Sequence, residues 1–140
     1  PPGTAQEIIA VGSYITKGSG VGSLSDFSSQ GPTRDGRQKP EISAPGEWIT
    51  SVKATGVTRG GADSKYHNLR GTSMAAPHVA GVVALMLQKN PKLTSVEIKD
   101  ILISTADKDI ATGNTANNAW GAGKINALAA IKATSALSRN

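Results

Sequence analysis

The stretch from Ser73 to Lys89 dictates most of what this chain can become. Wound as a helix, Val79, Val82, Val83, Leu85, Met86 and Leu87 spread around nearly the whole circumference, and Ala75, Ala76, Ala80, Gly81 and Ala84 fill the gaps. A helix apolar on every side is expected in the interior, its small residues letting neighbouring backbones come close. Pro77 fits only in the first turn, where N–H groups lack intrahelical acceptors, so the helix is expected to start near Thr72 or Ser73. Asn90-Pro91 ends it, because the residue before a proline avoids helical backbone.

Such a helix needs partners, and 140 residues provide one domain. Ile8 to Gly12 and Trp48 to Val52 are short apolar, β-branched runs that read as strands. Thr94-Ser95-Val96-Glu97 is a capping box, and Ile98, Ile101, Leu102 and Thr105 follow it at the spacing of a half-buried helix. Asn126 can cap a third helix whose inner face is Leu128, Ile131 and Leu137. Residues 17–23, 30–40, 56–66 and 111–124 are rich in Gly, Pro, Asn and charge and read as loops, with a turn at Asp35-Gly36 and Trp120 in the last loop. Strands followed by helices in one short chain point to part of an α/β fold.

Several function classes drop out. Cysteine is absent, so disulfides, thiol nucleophiles and Cys-based zinc sites are excluded. No apolar run approaches the roughly 18 residues of a membrane span. The net charge is +5, but the basic residues are scattered and only 2 Trp, 2 Tyr and 1 Phe are present to stack bases, which argues against nucleic acid. The glycine-rich segment 17–23 lacks the Gly-Lys-Ser/Thr ending of a phosphate loop. The chain opens on Pro1-Pro2 and reads as an excised piece of something longer.

The segment that carries chemistry is Gly71-Thr72-Ser73-Met74-Ala75-Ala76-Pro77-His78-Val79-Ala80-Gly81. It sets a serine at the first turn of the apolar helix, where free N–H groups and the helix dipole favour the oxyanion of an acyl-transfer intermediate. Gly71 lets a substrate backbone approach. Ser and Thr are also the commonest helix caps, and most Gly-Thr-Ser triplets taken by themselves are only caps. The serine needs a base. His78 follows it by five residues, about 140° round the helix and about 7.5 Å along it, out of hydrogen-bond reach. His67 lies in a polar loop, and Asp26, Asp35 and Asp63 fall in loops or turns.

At full length the segment resembles the nucleophile signature of the subtilisin-like serine proteases, the subtilases, at all eleven positions from Gly71 to Gly81. Ile8–Ser13, Phe27–Pro32, Lys39–Gly46 and Trp120–Ala127 resemble further segments of that family, in its order. The resemblance implies a three-layer α/β/α fold with a mostly parallel sheet, of which residues 1–140 are the C-terminal portion of the catalytic domain. It implies that Ser73 is the nucleophile and that its own N–H is an oxyanion donor, assisted by Thr72. Pro2, Gly3, Arg70 and Gly71 would border the bound substrate. Arg70 stands where the family more often has a small or amide residue. His78 is structural in the family pattern.

The family's Asp and His motifs, and the Asn of its oxyanion hole, are not in the chain, so the isolated chain is expected to be inactive. The expected partners are a polypeptide substrate and the N-terminal half of the catalytic domain, or another chain that covers the exposed sheet edge; no nucleic acid and no membrane are expected. No cofactor or metal is expected for the chemistry. The resemblance allows a structural calcium ion near Gly3, Ala5 and Ile8, with Glu41 close by. It also implies secretion. The alternative is a non-catalytic binding or assembly module derived from such a protease. An esterase elbow requires Gly-x-Ser-x-Gly, and Ala75 stands where its last glycine belongs.

Overall fold

A computed structural model describes residues 2–54 and 65–136. After a 3-10 turn at Pro2–Thr4 come β1 (Val11–Ile15), β2 (Ile42–Glu47), β3 (Ile49–Val52) and β4 (Tyr66–Leu69), then α1 (Thr72–Lys89), α2 (Ser95–Ser104) and α3 (Ala127–Ala136). The architecture is the α/β arrangement expected. β1 and β2 run parallel, with Val11 opposite Ile42 and Ser13 opposite Ala44. On its other side β2 bonds to the segment before α3: the Ser43 N–H donates to the Gly123 carbonyl, and the Ile125 N–H to the Ser43 carbonyl. With neighbours on both edges, Ile42, Ser43 and Ala44 are fully buried.

The sequence reading differs from the structure at the strands. The first strand begins at Val11, three residues later than the apolar run Ile8–Gly12; before it the Ile8 carbonyl accepts from Lys39 Nζ and the Ala10 N–H donates to the Glu41 carboxylate, side chains rather than a neighbouring strand. β2 carries no strand signal in the sequence, since Pro45 and Gly46 break the pattern of a strand. His67 is not in a loop; it lies in β4, which pairs antiparallel with β3 and sets His67 opposite Ser51. Residues 56–64 of the expected loop, with Asp63, and Leu137 lie outside the described residues.

α1 departs from expectation in an instructive way. Ala75, Val79, Val82 and Met86 are buried against β1, β2 and α3, as an interior helix requires. Ala76, Ala80 and Ala84 are exposed, as are Leu85 (48%) and Leu87 (36%). The helix is therefore covered on one face only, because nothing among the described residues packs on the other. Pro77 is the sixth residue of α1 and sits in the second turn, not the first, where it has no N–H to offer the Ser73 carbonyl four residues back.

α2 starts at the anticipated capping box: Thr94 Oγ1 accepts from the Glu97 N–H, and the Glu97 carboxylate accepts from the Thr94 N–H. Ile98, Ile101 and Leu102 join the core with Leu93 and Ala130. Asn126 caps α3 by accepting from the Ala129 N–H. The inner face of α3 is Ala130 and Thr134 with partly buried Ile131; Leu128, two residues and about 200° round the helix from Ala130, is 64% exposed. The loop 111–124 is held by Lys124, whose ammonium donates to the Gly22 carbonyl and Asp109 and lies over the rings of Tyr14 and buried Trp120.

Candidate active site

The centre of the site is the junction of β2 with α1. The Gly71 N–H donates to the Gly46 carbonyl at 2.8 Å, which ties the start of the helix to the carboxyl end of a parallel strand. That is where α/β folds place their ligands. Close approach requires glycine at position 46, because a Cβ there would stand 2.8 Å from the Gly71 carbonyl oxygen. Gly71 itself has φ 150°, a conformation that side chains rarely adopt.

Gly71 is the N-cap, and no side chain caps α1. Thr72 and Ser73 are the first two residues inside the helix. Neither hydroxyl of the Gly-Thr-Ser triplet caps the helix; the cap is its glycine. The amides of Thr72 and Ser73 belong to the first turn, where no helical carbonyl reaches them, while the Met74 N–H turns back to the Gly71 carbonyl. A hydroxyl and first-turn amides thus share the positive end of an eighteen-residue helix.

Ser73 is exposed and borders three clefts. One, of about 440 Å³, runs beside β3 past Ile49, Ser51, Leu69, Met74 and His78. The second, of about 500 Å³, is lined by Asp26, Phe27, Arg70, Gly71 and Thr72. The third, of about 650 Å³, reaches from Thr72 and Ala76 past Ile9 and Val11 to Gly3. The structure therefore brings Gly3, Arg70, Gly71 and Thr72 to the borders of clefts that meet at Ser73. Pro2 lies in the 3-10 turn beside Gly3.

Trp48 is a member of this region that the sequence did not disclose. It is half exposed, with φ 56°, and the Arg70 guanidinium lies 5.9 Å from its ring centre. Its only signal in sequence is an aromatic residue at the start of an apolar run. Arg70 and Asp26 put opposite charges into one cleft, so the cleft is not simply cationic.

The chain has two histidines. His67 is fixed in the β3–β4 hairpin. His78 gives its Nδ1–H to the Met74 carbonyl at 2.8 Å, one turn back on its own helix.

A second polar cluster lies at the amino end of β1. Glu41, with only 8% of its side chain exposed, accepts from Lys39 Nζ at 2.5 Å and Lys99 Nζ at 2.9 Å on one oxygen. Its other oxygen accepts from the Ala10 N–H at 2.8 Å. Lys39 also donates to the Ile8 carbonyl and Lys99 to the Gln6 carbonyl. Burial pushes the Glu41 carboxyl up in pKa; the hydrogen bonds from Lys39, Lys99 and Ala10 and the Lys39 charge outweigh it and hold the group below the usual value. Among the described residues no group of three or more His, Asp or Glu side chains could hold a metal ion, and no helix is long and apolar enough to cross a membrane.

The family model of the Subtilase family matches residues 1–123. The chain is 39% identical over 137 residues to Serine protease AprX of Bacillus subtilis, covering 90% of this chain and 30% of that protein. It is 42% identical over 118 residues to Minor extracellular protease Vpr of the same organism, covering 82% of this chain and 14% of that one. Among solved structures, the Clostridium perfringens CspB protease superimposes with a TM-score of 0.78 at 30% identity, over 99% of this chain and 29% of that chain. The chain spans less than a third of the length of each of these relatives.

Proposed function

The chain belongs to the subtilase family, and from that membership we propose that Ser73 is the nucleophile of a serine endopeptidase and that these residues are part of its catalytic domain. The observation that carries the reading is the placement of Ser73. It is exposed where three clefts meet, and it stands inside a helix tip that no side chain caps.

In the reaction, Ser73 Oγ attacks the scissile carbonyl carbon while a base takes its proton. The Ser73 N–H donates to the resulting oxyanion, with Thr72 beside it. The base returns the proton to the leaving amine as the C–N bond breaks, and water then releases the acyl group from Ser73. The base is a histidine contributed by the rest of the catalytic domain, as membership of the family implies; His78 already gives its Nδ1–H to the Met74 carbonyl.

The same missing half covers the bare surface. The cleft beside Ile9 and Val11 and the exposed Ala76, Ala80, Ala84 and Leu87 of α1 form the face on which it packs. β1 does not offer a whole edge, since the Ser25 N–H donates to the Ser13 carbonyl and the Ile15 N–H to the Ser23 carbonyl. Secretion of the whole protein is proposed from relatives such as the extracellular protease Vpr.

The test is hydrolysis of a fluorogenic peptide. The 140-residue chain alone is expected to show no turnover above buffer, and the chain joined to its complementary half to show turnover. Hydrolysis by the isolated chain that disappears in Ser73→Ala would mean that a base within these residues has been overlooked.

Arg70 adds specificity on the leaving-group side, where its cation favours acidic residues. In the active form, Arg70→Asn is expected to lower that preference by roughly five-fold in kcat/KM, the scale of about 1 kcal/mol for an exposed ion pair. Asp26 in the same cleft keeps the effect modest. A cleavage profile unchanged by the substitution would remove Arg70 from the site.

A further inference from the structure

The cluster around Glu41 points to a cation site whose cations are part of the chain. The family resemblance allows calcium near Gly3, Ala5 and Ile8 with Glu41 as the nearby carboxylate, and the side chains present do not fit it. The Ile8 carbonyl is taken by Lys39 Nζ at 3.2 Å and the Gln6 carbonyl by Lys99 Nζ at 3.1 Å. Both ammonium groups share one Glu41 oxygen, and the second oxygen is engaged by the Ala10 N–H. The local charge is one carboxylate against two ammoniums, a net of +1, which repels a divalent ion.

We infer that the ammonium groups of Lys39 and Lys99 do the work of a bound metal here, gathering the Gln6 and Ile8 carbonyls onto Glu41 and fixing the 3–10 segment without calcium. Each lysine bridges a backbone carbonyl and the carboxylate, as a coordinated cation would. The three side chains come from two places: Lys39 and Glu41 lie just before β2, and Lys99 rises from α2. The segment they hold runs into β1 and borders, at Gly3, the cleft that leads to Ser73. Order in this segment therefore reaches the candidate site with no dependence on the cation supply. The inference stands apart from the peptidase reading, since it concerns the folded segment whether or not Ser73 is a nucleophile.

The experiment follows melting and hydrogen–deuterium exchange of the full chain with calcium chloride alone as the probe. The wild type is expected to melt within about 1 °C in about 10 mM calcium or in chelator, with unchanged exchange at the amides of 3–10. Lys99→Met keeps the buried pair of Lys39 and Glu41, so it is expected to fold, and exchange in 3–10 should rise about tenfold. Lys39→Ala empties the buried position. Calcium should then raise its Tm by about 4 °C in about 10 mM salt, as a site of about 1 mM dissociation constant would. Calcium-dependent protection of 3–10 in the wild type would overturn the inference. So would Lys99→Met exchange as slow as wild type, which decides the matter even where Lys39→Ala fails to fold.

Discussion

Alanine at position 73 is expected to abolish peptide hydrolysis by the complete catalytic domain while leaving its Tm unchanged or slightly raised. The loss in kcat should be at least about four orders of magnitude, a scale known from subtilisin, a relative. Catalysis and stability separate at this residue for a structural reason. Ser73 is the second residue of α1, with its side chain exposed, and the cap is Gly71. Removing a hydroxyl that caps nothing costs no hydrogen bond to the helix, and alanine is the better helix former by a few tenths of a kcal/mol. If the hydroxyl were a cap, the same substitution would cost about 1 kcal/mol, or roughly 3 °C in a domain this size. A melting scan beside an activity assay tells the two apart. A variant that melts several degrees lower yet still cleaves would make Ser73 a structural residue.

What sequence could reveal divides along the range of the interactions. The Thr94–Glu97 box and the Asn126 cap are visible because both partners lie within one helical turn. β2 is hidden because its stability comes from β1, some thirty residues before it, and from Gly123 and Ile125, some eighty after it. Those neighbours bury Ile42 to Ala44 despite the Pro45-Gly46 that argues against a strand. The same limit explains α1. Its composition suits an interior helix, but periodicity cannot say whether a partner lies on each face, and among the described residues only one face has one. At the site, Ser73 is legible because one contiguous segment carries it. The clefts and the Trp48–Arg70 contact are not, since the chain must fold before residues 48 and 70 meet. The Lys39, Glu41 and Lys99 cluster is invisible for that reason too: Lys99 is 58 residues from Glu41.

That cluster is also where the largest loss of stability is expected. Glu41→Gln leaves the Lys39 ammonium buried with one carbonyl and a neutral amide, and an uncompensated buried charge costs about 3 to 5 kcal/mol. The Tm should fall by about 10 °C or more. Acid should reproduce the effect. The folded chain holds the Glu41 carboxyl below its ordinary value, through the lysine and Ala10 hydrogen bonds that outweigh burial. Its contribution is therefore complete above the unfolded value of about 4.3 and is lost as pH falls through the lower, folded one. Wild-type stability should drop more steeply below about pH 4 than that of Glu41→Gln, whose amide does not titrate. The pair is expected to confer order more than net stability, because desolvating both charges offsets most of their attraction. Lys39→Met combined with Glu41→Leu, which removes the charges together and lets Lys99, its side chain already 24% exposed, turn to water, should accordingly melt above Glu41→Gln. A Glu41→Gln protein that melts within about 2 °C of wild type at neutral pH would show that water, not the carboxylate, balances these two lysines.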